Sequence, residues 1–287
     1  MMHGLSMLEE PIFLKHIDEY EMTPVQPYLV LETDNYNMVP GKEEGISQFY
    51  EFSFETGAPD GMTAVPDGSV DLLFRIGNGQ VKTYIGGTVL AAKNWEFETG
   101  RQYFGVRFLP GRCVLPKELA IADLVNNDLE IDGNLFGKNL TDQLAEAGDI
   151  RQRAAVFLSA CRKMQPDQRT EGIRQLEQYI RERIYACKGN ISIRQLAEET
   201  GYSECYIRRT FQQIHGISPK NFERFVRFQN VLTRMNRKGQ QPALNQLALE
   251  CGYYDESHMM KDFKSFAGIT PQGYDRMIAG TKLKVDA

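Results

Sequence analysis

The stretch that decides the fold is written twice in the C-terminal part of the chain. It reads ISIRQLAEETGYSECYIRRTFQQIHGISPKNF at residues 191–222 and ALNQLALECGYYDESHMMKDFKSFAGITPQGY at residues 243–274. An alanine, a glycine, a phenylalanine, a second glycine and a proline recur in the same order. The offset between copies is 51 residues at Ala197 and Ala248, and 52 from the phenylalanine onward. Repetition this regular predicts one structural unit that occurs twice.

Each copy has the local signals of two short helices joined by a tight turn. In the first copy Ser192 is an N-cap candidate, and Gln195 follows at the spacing of a capping box. Gly201 is placed to end that helix, because a glycine readily adopts the positive φ of a helix end. Ser203 is then a candidate cap for the second helix. The pattern predicts a helix-turn-helix unit.

The second helix of the first copy has one apolar side and one polar side. At about 100° per residue, Ile207 and Phe211 share the apolar side. The residues on the opposite side are Cys205, Arg208, Arg209 and Gln212. A helix that enters the major groove needs this arrangement. The alternative is an ordinary helical pair with a solvated basic face, and the duplication in register argues against it.

This stretch resembles the DNA-binding domain of AraC-type (AraC/XylS family) transcription regulators. The matching positions are Ala197, Gly201, Ser203, Ile207, Arg209, Phe211, Gly216, Ser218, Pro219, Ala248, Gly252, Tyr253, Asp255, Ser257, His258, Phe263, Lys264, Gly268, Thr270 and Pro271. The resemblance implies two helix-turn-helix units that read successive major grooves of double-stranded DNA. It also implies one joining helix, expected at about 219–237, in which Phe228 replaces the usual leucine.

The resemblance and the helical pattern together give candidate DNA contacts in both units. In the second unit they are Glu256, Ser257, His258, Met260, Lys261 and Lys264. We expect Arg208 or Arg209 to bind guanine, Gln212 to pair with adenine and Met260 to touch a thymine methyl. Lysine at position 261, where the family often has arginine, cannot bind a guanine through two donors. His258 is open to a structural or a phosphate role, and Arg209 to a salt bridge between the two helices.

Charge is unevenly divided along the chain. The whole chain carries a net charge of −5, but residues 171–287 carry 18 basic and 13 acidic side chains, a net of +5, and residues 1–170 a net of −10. The basic half holds the repeat, as phosphate contacts require. The chain has no run of 18 apolar residues and no recognisable signal peptide, so no membrane association is expected. Five scattered cysteines predict free thiols in a reducing cytoplasm.

The N-terminal half has the texture of short strands. Apolar runs at 49–54, 70–76, 81–85 and 103–108 are separated by glycine and proline. Such strands predict a small β-barrel or sandwich. The strings VPDGSVDLLF and GVRFLPG also resemble the N-terminal domain of one AraC-type subgroup, which implies a sensing domain without naming its ligand.

No catalytic or metal-binding pattern is present in this half. Its histidines, His3 and His16, precede the strands, and the sequence lacks a nucleophile elbow, a phosphate loop and a dinucleotide motif. We therefore expect no enzyme activity, no metal and no cofactor. The candidates for binding a small-molecule effector are Asp71, Arg75, Trp95 and Arg107. Asp71 and Arg75, on one strand face by period two, either bind a ligand or pair with each other, and Trp95 either stacks on a ligand or packs in the core.

After Pro116 the sequence pattern becomes helical. Two helices, interrupted near Gly148, carry an apolar stripe that predicts either a cover for the barrel or, as the family resemblance implies, a homodimer contact within 112–164.

The predicted fold class is α+β, with a sensor or dimerisation domain at 1–165, a linker at 166–172 and an all-α DNA-binding domain at 173–287. The predicted function is sequence-specific transcription regulation, with RNA polymerase a further possible partner. The rival is a ligand-binding or catalytic barrel with an appended DNA-binding domain.

Overall fold

The computed structural model describes residues 24–41, 45–55, 61–77, 79–113, 115–161, 169–237 and 242–285. Its N-terminal half is built from antiparallel strands and short helices. The strands are β1 (Asp34–Pro40), β2 (Ile46–Ser53), β3 (Met62–Ala64), β4 (Val70–Gly77), β5 (Gln80–Gly86), β6 (Lys93–Trp95), β7 (Gln102–Phe108) and β8 (Asp128–Ile131). The helices are α1 (Pro27–Leu31), α2 (Ile121–Leu124), α3 (Leu140–Glu146) and α4 (Ile150–Cys161), with a 3₁₀ turn at Gly133–Phe136.

Six of the strands form one sheet in the order β1-β2-β7-β4-β5-β8. The four strands predicted from apolar runs all form, and β4 and β5 make a hairpin, with Gly77 opposite Gln80 at its end. The sheet is open, with β1 and β8 at its two edges, so it is not a closed barrel. β3 and β6 make a separate two-stranded sheet.

Helices α3 and α4 cover one face of the large sheet. Leu140, Leu144 and Phe157 are fully buried there, in one cluster with sheet residues such as Phe74 and Phe104. The apolar stripe that suggested a dimer contact is therefore occupied within the chain itself, and the alternative, a cover for the sheet, is what the structure has. The two helices break between 147 and 149, as predicted.

The small sheet lies over the opposite face of the large one. Met62 of β3 packs against an aromatic cluster on that face, in which Tyr50, Phe52, Phe54 and Tyr103 are buried. The N-terminal half thus has three layers, with helices below, the large sheet in the middle and the small sheet above. A cavity remains between the two sheets.

The C-terminal half is all helical in the part that the structure describes. Its helices are α5 (Glu171–Ala186), α6 (Ile193–Thr200), α7 (Glu204–His215), α8 (Pro219–Met235), α9 (Leu244–Glu250), α10 (Glu256–Ala267) and α11 (Pro271–Val285). α8 is the predicted joining helix. α5 begins at Glu171, two residues inside the predicted linker, whose residues 166–168 lie outside the described residues. The predicted α+β fold class is confirmed.

The two halves share a continuous contact, which we call the seam. On its N-terminal side lie Val25, Tyr28, Pro66, Gly68 and Gly111, and on its C-terminal side His215, Phe222, Gln229 and Ala267. Tyr28 and Val65 belong to the same buried cluster as the helices of both repeat units. The Tyr28 hydroxyl donates to the carbonyl oxygen of Ala267 over 2.7 Å. The core of the C-terminal half is thus completed by residues from the N-terminal half.

Candidate nucleic-acid interface and ligand cavity

The first repeat unit is held by the caps that its sequence predicts. Ser192 and Gln195 form a reciprocal capping box at the start of α6. Gly201 ends that helix with a φ of 74°, a left-handed conformation that favours glycine. Ser203 then accepts a hydrogen bond from the backbone N–H of Tyr206 and starts α7. These local bonds fix the turn, and so the direction in which α7 leaves the core.

α7 presents the predicted polar face to solvent. Ile207 and Phe211 are fully buried on its inner side. The four predicted contact residues are all exposed on its outer side; they are Cys205, Arg208, Arg209 and Gln212. Because nothing in the described part of the chain covers this face, α7 is free to enter a groove.

The two arginines of this face are held by weak surface contacts. Arg208 donates to the Glu204 carboxylate one helical turn earlier, over 2.8 Å, and both side chains are about half exposed. An exposed pair of this kind contributes only about 0–1 kcal/mol, so Glu204 holds the Arg208 side chain only weakly. The guanidinium of Arg209 lies over the ring of Tyr206, 5.6 Å from its centroid.

The salt bridge that ties neighbouring helices in this unit uses other residues. Arg183 of α5 donates to both oxygens of Glu199 of α6, over 2.8 and 2.7 Å. The Tyr179 hydroxyl donates to the same carboxylate. Among the described contacts Arg209 makes no ion pair with a neighbouring helix, so the alternative role considered for it is not the one observed.

The second unit repeats this construction. Asp255 caps α10 by accepting from the backbone N–H of His258 over 2.7 Å, and Gly268 ends the helix with a φ of 75°. Its inner side chains, Met259 and Phe263, are fully buried. Five predicted contact residues are exposed, namely Glu256, Ser257, His258, Lys261 and Lys264, while Met260 is half-buried.

An ion pair that the sequence analysis missed anchors α10 to the joining helix. Arg224 of α8 donates to Asp262 over 2.7 Å, and it also lies over the ring of Phe266. Asp262 is buried, and its carboxylate is 3.9 Å from Nε2 of His258. His258 is thus placed between a buried carboxylate and the exposed face. In the sequence, His258 and Asp262 are one helical turn apart, and this spacing alone predicts that they are neighbours. No local pattern predicts that Arg224 pairs with Asp262.

The cavity between the two sheets gathers three of the four predicted ligand residues. Asp71, Trp95 and Arg107 line it, and its volume is about 100 Å³. Arg75 lies outside its lining and pairs with Glu98 instead. The suggested pairing of Asp71 with Arg75 was therefore wrong.

Cross-strand geometry explains the partner that Asp71 has. Asp71 and Arg107 stand directly opposite each other on β4 and β7, where side chains are about 5 Å apart. Arg75, four residues along the same strand, is about 13 Å away. Arg107 donates from Nε and Nη2 to Asp71 over 3.0 Å each. Tyr50 adds a hydrogen bond from its hydroxyl to Asp71 over 2.8 Å.

A second carboxylate, Asp67, is buried beside this pair. Burial raises the pKa of Asp67, and the nearby guanidinium of Arg107 only partly offsets this rise. Asp67 stands in a Pro-Asp-Gly turn, where it accepts a hydrogen bond from the backbone N–H of Ser69 over 2.8 Å. It also accepts from the side chain of Gln26 over 2.9 Å. The turn thus places a carboxylate in the wall of the cavity and next to the seam.

The described residues contain no group of three or more histidine, cysteine, aspartate or glutamate side chains arranged to hold a metal ion. They also contain no helix with the length and apolar character needed to cross a membrane.

Comparison with known proteins places the repeat in a family. Residues 196–277 match the family model described as a helix-turn-helix domain. An uncharacterized HTH-type transcriptional regulator of Haemophilus influenzae is 36% identical over 87 residues, which are 30% of this chain and 28% of that protein. The chain thus matches less than a third of the length of that relative.

Two solved structures are distantly similar to this chain. ToxT from Vibrio cholerae is 10% identical, with a TM-score of 0.42 over 83% of this chain and 100% of that one. The C-terminal domain of AraT, a response regulator from Geobacillus stearothermophilus, is 21% identical, with a TM-score of 0.33 over 38% of this chain and 88% of that one. With the repeat, its caps and the family match together, the chain carries an AraC-type helix-turn-helix domain over residues 196–277, the DNA-binding domain of transcription regulators of that type.

Proposed function

We propose that this chain is a sequence-specific transcription regulator that binds duplex DNA through α7 and α10 and responds to a small molecule held between its two sheets. The observation that carries the proposal is the equivalence of the two helices. Each is capped at its start, ended by a left-handed glycine, buried on one side and exposed on the side with the predicted contacts.

The charge distribution supports DNA binding by the C-terminal half. The net charge of +5 over residues 171–287 favours phosphate, and the net charge of −10 over residues 1–170 repels it. We propose that DNA approaches only the exposed faces of α7 and α10. The three-layer N-terminal half then acts as the sensor, and the division into residues 1–165 and 173–287 belongs to the same proposal.

Selection from random duplex DNA tests this proposal on the full chain. We expect recovery of a motif with two blocks about one helical turn apart, one for each unit. The matched variants are Gln212→Ala on the exposed face of α7 and Gln178→Ala on the exposed side of α5. Gln212→Ala should change one block of the motif, and Gln178→Ala should leave both blocks intact. Recovery of sequences without any shared motif would contradict the proposal.

A homodimer through residues 112–164 stays a prediction. The argument that remains is the gain in avidity, because a second tethered chain would raise the effective concentration of binding units on DNA. It no longer includes exposed apolar surface at Leu140, Leu144 and Phe157. Sedimentation of the full chain at micromolar concentration decides it, because a strict monomer with and without DNA rules the dimer out. RNA polymerase as a partner and the cytoplasm as location belong to the same proposal, as does the absence of catalysis.

A further inference from the structure

The cavity between the two sheets has a size and a wall chemistry that restrict its ligand. Its volume of about 100 Å³ is of the order of a cavity that holds one small ring, since an apolar cavity of about 150 Å³ binds benzene. Aromatic side chains from both sheets form much of its wall; they are Tyr50, Tyr84, Trp95 and Phe97. A single ring with a short polar substituent has the matching size, and it would stack or pack against these side chains.

Most polar atoms inside the cavity already have partners. Both oxygens of Asp71 accept from Arg107, and one of them also accepts from Tyr50. Asp67 accepts from Ser69 at one oxygen and from Gln26 at the other. The carboxylates therefore do not depend on a ligand to be satisfied.

Two residues of the cavity lining each have a buried polar atom without a partner. Nη1 of Arg107 and Oγ of Ser69 make no hydrogen bond among the described residues, and the two residues are only 5% and 2% exposed. A buried polar atom without a partner is costly. Nη1 of Arg107 can only donate, and the Ser69 hydroxyl can also donate, so a hydrogen-bond acceptor would serve both groups.

The position of Nη1 indicates what kind of acceptor fits. It lies 3.9 Å from Oδ2 of Asp67, too far for a direct hydrogen bond. An oxygen about 2.9 Å from both atoms would accept from Arg107, and a hydroxyl there would also donate to Asp67. A ligand hydroxyl can thus bond both Arg107 and Asp67, whereas a ligand carbonyl oxygen can bond only Arg107.

The charges around the cavity disfavour an ionic ligand. The lining contains one cation, Arg107, and three carboxylates, Asp67, Asp71 and the exposed Asp128. A ligand anion would face this excess of negative charge at short range. A ligand ammonium would lie beside the guanidinium, leave Nη1 without an acceptor and compete for carboxylate oxygens that are already hydrogen-bonded.

We propose that the effector is an uncharged single-ring compound whose hydroxyl or carbonyl oxygen accepts hydrogen bonds from Arg107 Nη1 and Ser69 Oγ. This inference rests on the proposed sensing role of the cavity. It names the ligand class for that role from the unpaired donors, the charge balance and the aromatic walls.

Ligand-observed NMR on the full chain tests the class directly. The probes are benzyl alcohol and benzamide as uncharged compounds, and benzoate and benzylammonium as charged compounds of the same size. We expect the uncharged pair to bind at least about tenfold more tightly than either ion. Tightest binding of benzoate or benzylammonium, or no binding by any of the four at about 5 mM, in the range of weak millimolar affinities, overturns the proposal.

Two serine variants locate the binding. Ser69→Ala removes an unpaired hydroxyl of the cavity, and Ser47→Ala removes another buried unpaired hydroxyl that lies outside the lining. Loss of one hydrogen bond weakens binding about fivefold, so Ser69→Ala should show that loss and Ser47→Ala should not. Equal affinity in both variants would place the ligand elsewhere. DNA binding of the same samples, measured without probe, tests the proposed function separately.

Discussion

Gln229, in the middle of the joining helix, exchanges two hydrogen bonds with the backbone of Val25, a residue 204 positions earlier in the chain. Its Oε1 accepts from the Val25 N–H over 2.7 Å, and its Nε2 donates to the Val25 carbonyl oxygen over 3.2 Å. Nε2 also donates to the carbonyl oxygen of Pro66 over 2.9 Å. The side chain is fully buried. One amide thus holds two N-terminal segments against α8.

Replacing this amide tests how strongly the seam joins the halves. Gln229→Leu fills similar volume but leaves the Val25 and Pro66 backbone groups unpaired, at a cost of about 1–3 kcal/mol for each group that stays dry. We expect urea unfolding to show a loss of at least about 2 kcal/mol. Gln178→Leu, at an exposed position on α5, is the control and should change little. Equal stability of both variants would mean that water replaces the lost partners.

Arg208→Ala should relax base preference at one or two positions of the selected motif, at a cost of about 1–3 kcal/mol. The reason is its exposed position on α7, with only a weak ion pair to Glu204. Binding affinities to the motif and to its single-base variants measure the effect. A uniform loss over all sequences would move Arg208 from the base contacts to the phosphate contacts.

Lys264→Ala should weaken binding to all sequences alike. A lysine at the last turn of α10 is expected to contact phosphate, which positions the helix without reading bases. The slope of log affinity against log salt concentration should fall by about one. Unchanged salt dependence would contradict the assignment.

Residues 171–287 should bind DNA alone, because they hold both units and the positive charge. The seam adds a condition to this expectation, since Tyr28 and Val65 complete the core of this half. We therefore expect the fragment to be less stable than the full chain but to keep a steep salt dependence. Mobility-shift assays over a salt series provide the measurement, and binding confined to the N-terminal fragment would refute the assignment.

Acidification should destabilise the seam through His215. Burial lowers the pKa of His215 more than the hydrogen-bonded Glu177 raises it, and the nearby Arg181 and Arg169 lower it further. The folded chain therefore keeps this histidine neutral, while the unfolded chain takes up a proton near pH 6.5. Stability should fall as the pH drops through that value.

The contribution of His215 is separated from that of other groups by comparison of variants. The pKa of Asp67 is raised by burial, which acts in the opposite direction at low pH. His215→Gln keeps a donor towards Glu177 without titrating, so its stability should fall less between pH 7.5 and 5.5 than that of the wild type. Gln178→Leu, the exposed control on α5, should follow the wild type. Parallel curves for all three chains would exclude a role for His215.

The sequence predicted what is encoded locally. The capping box of Ser192 and Gln195 and the glycine at 201 are signals within a few residues, so α6 and α7 form where expected. The edge strand β1 and the small sheet of β3 and β6 were not predicted, because their short segments have no clear alternation and their pairing is non-local. Two further contacts were not predicted because they too are non-local. The pairing of Asp71 with Arg107 depends on the register of β4 and β7, and Asp262 is bound by Arg224 of another helix.

The seam also has a mechanical consequence for DNA reading. His215 is the last residue of α7, and it is buried beside Gly111 of the N-terminal half, so this end of α7 contacts the N-terminal half directly. A 12-residue helix is about 18 Å long. A tilt of about 10° about His215 would move the first residues of α7 by about 3 Å, close to the rise of one base pair. If α7 binds DNA as proposed, a small change at this contact would therefore move its first residues by about the spacing of neighbouring base pairs.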